Sequence, residues 1–181
     1  MSLSRLSLSP RLAFGMALAS ILAEPLAAQS RGAVSTDVTV GPSTGWGGPR
    51  NLDDRNGYAG ELTIGRRTRP DDETTRMVAL TIGSHLSLQN KCGCPSFPSI
   101  NHLGLLGGLE RRGRLGAVRA MAGPAFYAGD GASGMGGQLH LDAAAGVSHL
   151  ELVLAARGSV VVRFTGEVLG LSSLQFGVRL Q

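Results

Sequence analysis

Cysteine, aromatics, lysine and long apolar runs are all scarce in this chain, and each shortage removes a class of protein. Two cysteines in 181 residues cannot frame a disulfide-stapled scaffold. Aromatic residues make up 4%, and lysine occurs once, at Lys91, against 16 arginines. Those arginines are scattered, without the clustered cations and interleaved aromatics that hold phosphates and stack bases, which argues against a nucleic-acid partner. The tight basic groups, Arg66-Arg67 and Arg111-Arg112 with Arg114, sit where turns are expected and read as solvated charge. No apolar run reaches the roughly 20 residues that a spanning helix needs, and no helical stripe of period 3.6 is sustained. What is present, 43% hydrophobic residues with a formal charge of only +4, excludes uniform disorder and suits one folded domain.

The amino-terminal segment has its own grammar. Residues 1 to 11 carry Arg5 and Arg11 and no acid, and residues 12 to 23 are apolar apart from Ser20. A basic stretch followed by a short apolar one is the pattern of a secretory signal peptide. Residues 1–28 are therefore expected to be removed after Ala28, so that the mature chain begins near Gln29 and residues 29–181 form the folded domain. An uncleaved anchor is the alternative.

Beyond that point the alternation has period 2, the signature of half-buried strands. Eight segments carry it: 33–40, 58–67, 77–88, 102–110, 115–127, 136–145, 149–162 and 168–180. In the clearest, Leu150, Leu152, Leu154, Ala156, Val160 and Val162 share one parity, and Glu151, Arg157 and Ser159 the other. Leu106 breaks the pattern by falling on the charged parity of its segment. Pro124 lacks an N–H for a ladder and is expected at a bulge or near a rim. The expected connectors, 41–57, 68–75, 89–101, 111–114, 128–135, 146–148 and 163–167, run long then short in alternation, as the outer loops and inner turns of transmembrane barrels do.

Alternation alone leaves open which face is inside. A charge content of 17% is thin for a soluble surface, which carries about 25–35%, and few aromatics are available to wall a ligand pocket. With export signalled, the apolar face is expected to meet lipid. The other face then gathers Asp37, Glu61, Glu110, Asp142 and Glu151 with Arg67, Arg119, Arg157 and Arg179 in a lumen charge network. Eight strands enclose only enough space for side chains to fill, and buried charges must be paired. The expected interior is plugged by salt bridges between strands, with Gly65, Ala79, Gly83, Gly104 and Gly108 making room for arginine. Tyr58, Phe126, Tyr127 and Phe164 are expected to cluster at the outer rim. A soluble lipocalin-like barrel in the periplasm, holding a small apolar ligand, is the alternative.

The signal, the eight amphipathic strands, the alternating connectors and the closing segment Leu174-Gln175-Phe176-Gly177-Val178-Arg179-Leu180-Gln181 resemble the small outer-membrane barrels of the OmpA and OmpX type. The resemblance implies an all-β, eight-stranded antiparallel up-and-down transmembrane barrel in the cell outer membrane, with outer-membrane lipid around it. It also implies that the last strand addresses the outer-membrane assembly machinery; where that family carries a terminal aromatic, this chain has Gln181.

Chemistry-bearing motifs are few. Cys92-Gly93-Cys94 lies in the third connector, where a strained disulfide and a free thiol pair both stand open; two local ligands fall short of a zinc site. His85 and Ser87 share a face, as a nucleophile and its base would, and outer-membrane lipid deacylases use such a pair. That face is the lumen, which acyl chains do not reach, so polar lining is the plainer reading. His102, His140 and His149 are isolated and read as interior or turn histidines. Asp71-Asp72-Glu73 after Pro70 reads as a turn. Gly-Met-Gly-Gly at 134–137 lacks the Lys and the helix of a phosphate loop. The expectation is a protein without catalytic residues, metal or cofactor, structural or acting through loops whose partner the sequence does not name.

Overall fold

A computed structural model describes residues 34–47, 56–70, 72–87, 100–129, 133–147 and 149–181. The signal segment and Cys92-Cys94 lie outside the described residues. Eight strands follow one another: β1 (Val34–Gly47), β2 (Asn56–Arg67), β3 (Thr74–Ser87), β4 (Ile100–Gly113), β5 (Gly116–Gly129), β6 (Gly134–Val147), β7 (Leu150–Arg163) and β8 (Val168–Leu180). Each pairs antiparallel with its neighbours in sequence, and β8 returns to β1, so the sheet closes into a barrel without free edges. Strands of 12 to 14 residues exceed the 9–11 or so that a tilted strand needs to cross a bilayer.

The barrel is staggered as well as closed. Starting at Asp37 and stepping through its paired residues Thr63, Thr81, Gly104, Ala125, Gly136, Val161 and Leu169, the path returns to β1 at Gly47 rather than at Asp37. That displacement is the shear that tilts strands in a closed barrel. It is an even number of residues, so facing is preserved around the circuit.

Facing follows parity. Leu105, Leu139, Leu152, Val160 and Phe176 point outward and are 44–70% exposed as a class with Leu154. Their neighbours one residue away point into the barrel and, apart from the half-buried Gly177, are buried. This arrangement inverts a soluble protein, and it is what alternating sequence dictates when hydrocarbon is the outer solvent.

Several expectations are corrected. The first strand does not stop at Val40. It continues through Pro42 to Gly47, which shortens the first connector to residues 48–55 and places Trp46 in a strand. The remaining connectors are 68–73, 88–99, 114–115, 130–133, 148–149 and 164–167. One end of the barrel carries 48–55, 88–99, 130–133 and 164–167, the other carries 68–73 and the two-residue turns, and each of the first, third and fifth connectors is longer than the one that follows it. We call these the loop end and the turn end. In the last loop Gly166 takes a left-handed backbone (φ 88) and donates its N–H to the Arg163 carbonyl at 2.9 Å, a conformation that suits glycine.

Pro124 sits at no bulge. The β4–β5 ladder lacks the two pairs beside Gly123-Pro124, yet the register is the same on either side. Gly41-Pro42 does the same to the β1–β8 ladder. In both, proline removes the donor that would face the neighbouring strand, and the glycine before it lies against that strand's backbone, at Leu174 and at Leu105, where no Cβ fits. The repeated Gly-Pro dipeptide therefore marks two in-register interruptions in strands on different sides of the barrel.

Tyr127 is not part of an outer girdle. It is fully buried inside, 5.9 Å from the His102 ring, because it shares the parity of Arg119. Outside, Phe126 and Phe164 face each other at 6.3 Å, and Trp46 and Tyr58 are half-exposed near the same end. Trp46 is paired directly with Gly170, and its indole occupies the space where a Gly170 side chain would stand. Trp46 is the chain's one tryptophan, so a Gly170→Val substitution is expected to shift its emission maximum and its quenching by brominated lipid. Unchanged spectra would mean that the indole does not rest there.

Candidate functional site

The interior is built by the inward parity of all eight strands, and its middle is ionic. Asp37 on β1 accepts two hydrogen bonds from the Arg179 guanidinium (2.9 and 3.1 Å) and one from Arg119 at 2.8 Å. Asp37 and Arg179 are also cross-strand partners at the β1–β8 seam, so this forked pair stands where the barrel closes. Arg119 further reaches Glu110 at 3.1 Å and the Ser35 hydroxyl at 3.0 Å. Arg67 donates to the other Glu110 oxygen at 2.6 Å. Arg157 donates to Glu61 at 2.8 Å and pairs with Asp142, while Arg179 also lies 3.4 Å from Glu151. Each of these nine charged side chains is at most 6% exposed.

Parity alone does not identify every participant. Arg112, assigned from sequence to a turn, lies in β4 on the inward parity of Glu110 and bridges Glu151 at 2.8 Å and Glu110 at 3.3 Å. With it this network holds five carboxylates and five guanidiniums. His102 approaches Glu61 at 3.3 Å, and His140 lies 3.6 Å from the same carboxylate; the second distance is too long for a hydrogen bond. Gln175 accepts from Thr39 at 2.6 Å and donates to Ser173 at 2.8 Å. Arg112 was discoverable from its even spacing to Glu110. The histidines were not, because their role depends on which strand faces them.

Apolar side chains fill the rest. Leu106, on the charged parity of β4, packs inside with Ala79 and Met121, beside the stretch of β3 that contributes no charge. At the loop end Ile100, Ala125, Tyr127, Val161, Leu169 and Leu171 form a second buried cluster. The small residues expected to accommodate arginine serve other neighbours. A side chain at Gly83 would collide with His102, at Gly104 with Gln138 and Thr81, at Gly65 with Met77, and at Gly108 with Met121 and the β5 backbone. Bulk in this lumen is matched to the glycines of neighbouring strands and, for Gln138 on β6 against Gly104 on β4, across the strand between them.

The other motifs remain apart from this network or outside it. The His85 ring lies 5.7 Å from His102 inside the barrel, and the Ser87 side chain is outside the described residues. His149 sits in a turn, 3.2 Å from the Gln181 carbonyl. Glu73 is paired with Arg111, and Asp72 lies 3.9 Å from Arg69. Among the described residues no group of three metal-ligating side chains comes together.

An eight-stranded antiparallel barrel, apolar outside and filled with paired charge inside, has the fold of the small outer-membrane barrels. Its overlap with neisserial surface protein A (NspA) has a TM-score of 0.62 at 12% identity, covering 81% of this chain and 96% of that one. Ail, the attachment invasion locus protein of Yersinia pestis, overlaps with a TM-score of 0.46 at 11% identity, covering 81% of this chain and 98% of that one. No family model matches the chain, and no curated protein matches it in sequence.

Proposed function

We propose that the protein is an integral outer-membrane barrel without catalytic activity, which acts by its place in the membrane and through its exposed loops. In this reading residues 1–28 direct export, the mature chain begins near Gln29, and the loop end faces the exterior. Strand β8 presents Leu174, Phe176, Val178 and Leu180 outward to the assembly machinery, and the paired charges from Asp37 to Arg179 close the lumen. The connectors of the loop end are then the segments through which a partner is met.

The observation that carries this reading is the inversion of solvents. Large aliphatic side chains cover the outside while ten ionised groups occupy the inside. A soluble barrel for an apolar ligand needs the opposite arrangement, and the interior here offers carboxylates and guanidiniums where such a ligand would require leucine. That alternative is set aside on this count.

Fractionation tests the proposal. The protein is expected to require detergent for extraction, to migrate differently before and after boiling, and to have the intact mass of a chain starting at Gln29. Recovery in an osmotic-shock supernatant would overturn it. The refolded protein is further expected to give no steady large openings in a planar bilayer, since side chains fill the lumen; sustained conductance would refute the closed interior.

A further inference from the structure

Among the described residues, the outer face of the barrel carries charge in one place. Among the described outward-facing strand residues, the charged side chains are Arg66 on β2, Arg76 on β3 and Arg111 on β4. All are arginine, all are exposed, and they occupy three consecutive strands. Each lies within three residues of its strand's turn end. The remaining outward surface from β5 round to β1 is apolar or uncharged.

Register brings the three together. Arg66 pairs with Val78 and Arg76 with Leu109. Arg76 is thus the diagonal neighbour of Arg66, and Arg111, paired with Thr74, is the diagonal neighbour of Arg76. Diagonal neighbours on one sheet face stand about 7–8 Å apart, within the joint reach of long side chains. Arg114 follows in the turn, and together with Arg111 it borders an open groove of about 550 Å³ whose other walls include Leu115, Val118 and Ala143. The compensating acid is slight: Glu73 holds Arg111 at 3.0 Å with both side chains largely exposed, and Arg66 and Arg76 make no ion pair among the described residues. Above the arginines the same strands present Val78, Leu80, Leu105 and Leu109.

We infer that strands β2 to β4 form a binding site for an anionic glycerophospholipid of the inner leaflet. Phosphate and a second negative headgroup charge lie against Arg66, Arg76 and Arg111, and the acyl chains run up the aliphatic face and groove. Guanidinium is suited to this task, since its fork matches phosphate oxygens while its stem packs against hydrocarbon. A zwitterionic headgroup brings its own ammonium and meets the patch less well. The inference rests on the membrane reading above, from which it takes the periplasmic position of the turn end.

Native mass spectrometry of the detergent-solubilised full mature barrel tests it, with phosphatidylglycerol and phosphatidylethanolamine of the same acyl chains offered in competition. Phosphatidylglycerol is expected to be retained at least about fivefold over phosphatidylethanolamine, with the preference falling as salt rises. The triple variant R66Q/R76Q/R111Q is expected to lose that preference, and Arg163→Gln at the opposite end to keep it. Each variant is first checked for the heat-dependent gel shift that reports a folded barrel, and the paired variants R66Q/R76Q serve if the triple does not fold. Equal retention of the two lipids, a preference that survives the substitutions, or displacement by acyl-free glycerol phosphate would each overturn the lipid site while leaving the membrane reading intact. Absence of the gel shift in the parent protein would instead bring down the membrane reading and this site with it.

Discussion

Asp37→Ala is expected to destabilise the folded barrel by about 3–5 kcal/mol, the cost typical of removing one partner from a buried ion pair. Asp37 receives three hydrogen bonds from Arg119 and Arg179, and both arginines are at most 1% exposed. Without it, two guanidiniums share the more distant Glu110, Asp142 and Glu151, and the forked contact across the β1–β8 seam is gone. The size of the effect comes from the stranded charge rather than from the net value of the pair, since a well-packed apolar replacement of both partners is often neutral. The double substitution D37A/R179L is therefore expected to recover much of the loss. Urea unfolding in lipid vesicles measures both. A single variant within about 1 kcal/mol of the parent, or a double variant no better than the single, would show that the pair is not held in a dry interior.

Leu105→Arg probes the other face. Leu105 is 56% exposed on β4, away from the arginines at the turn end, and a lipid-facing arginine near the bilayer midplane costs about 2–4 kcal/mol. On a water-facing surface the same change is worth within about 0.5 kcal/mol. The variant is expected to refold poorly into vesicles and to unfold at lower urea than the parent. Arg76→Leu at the rim, where depth no longer penalises charge, is expected to change stability little. Equal stability of Leu105→Arg and the parent would contradict a hydrocarbon environment for this face.

The legibility of this architecture differs between its parts. Strand number, order and facing could be read because alternation is a local property: each outward leucine is followed by an inward residue whatever its partners are. The end of β1 could not. Gly41-Pro42 looks like a stop, and only the pairing of Pro42 with Tyr58 on β2 shows the strand passing through. Gly123-Pro124 reads as lying within a strand, with a bulge expected there or a rim nearby, and the bulge is absent because a proline can lose one neighbour's hydrogen bond while the other neighbour holds the register.

The interior divides along the same line. Parity separates the ionisable residues from the leucines, and it correctly turns Leu106 inward, where Ala79 and Met121 pack against it. Parity cannot say that Arg179 meets Asp37, 142 residues away, or that Arg112 completes the charge balance.

By itself, then, the sequence determined eight strands, their up-and-down order and which residues share a face, because a period of two is written residue by residue. The tertiary structure alone decided the partners. Stagger and closure choose which inward side chains stand at the same height, and close packing in a narrow barrel makes glycines serve histidine, glutamine and methionine rather than arginine. Those choices turn a list of charges into a paired interior and three separate arginines into one patch.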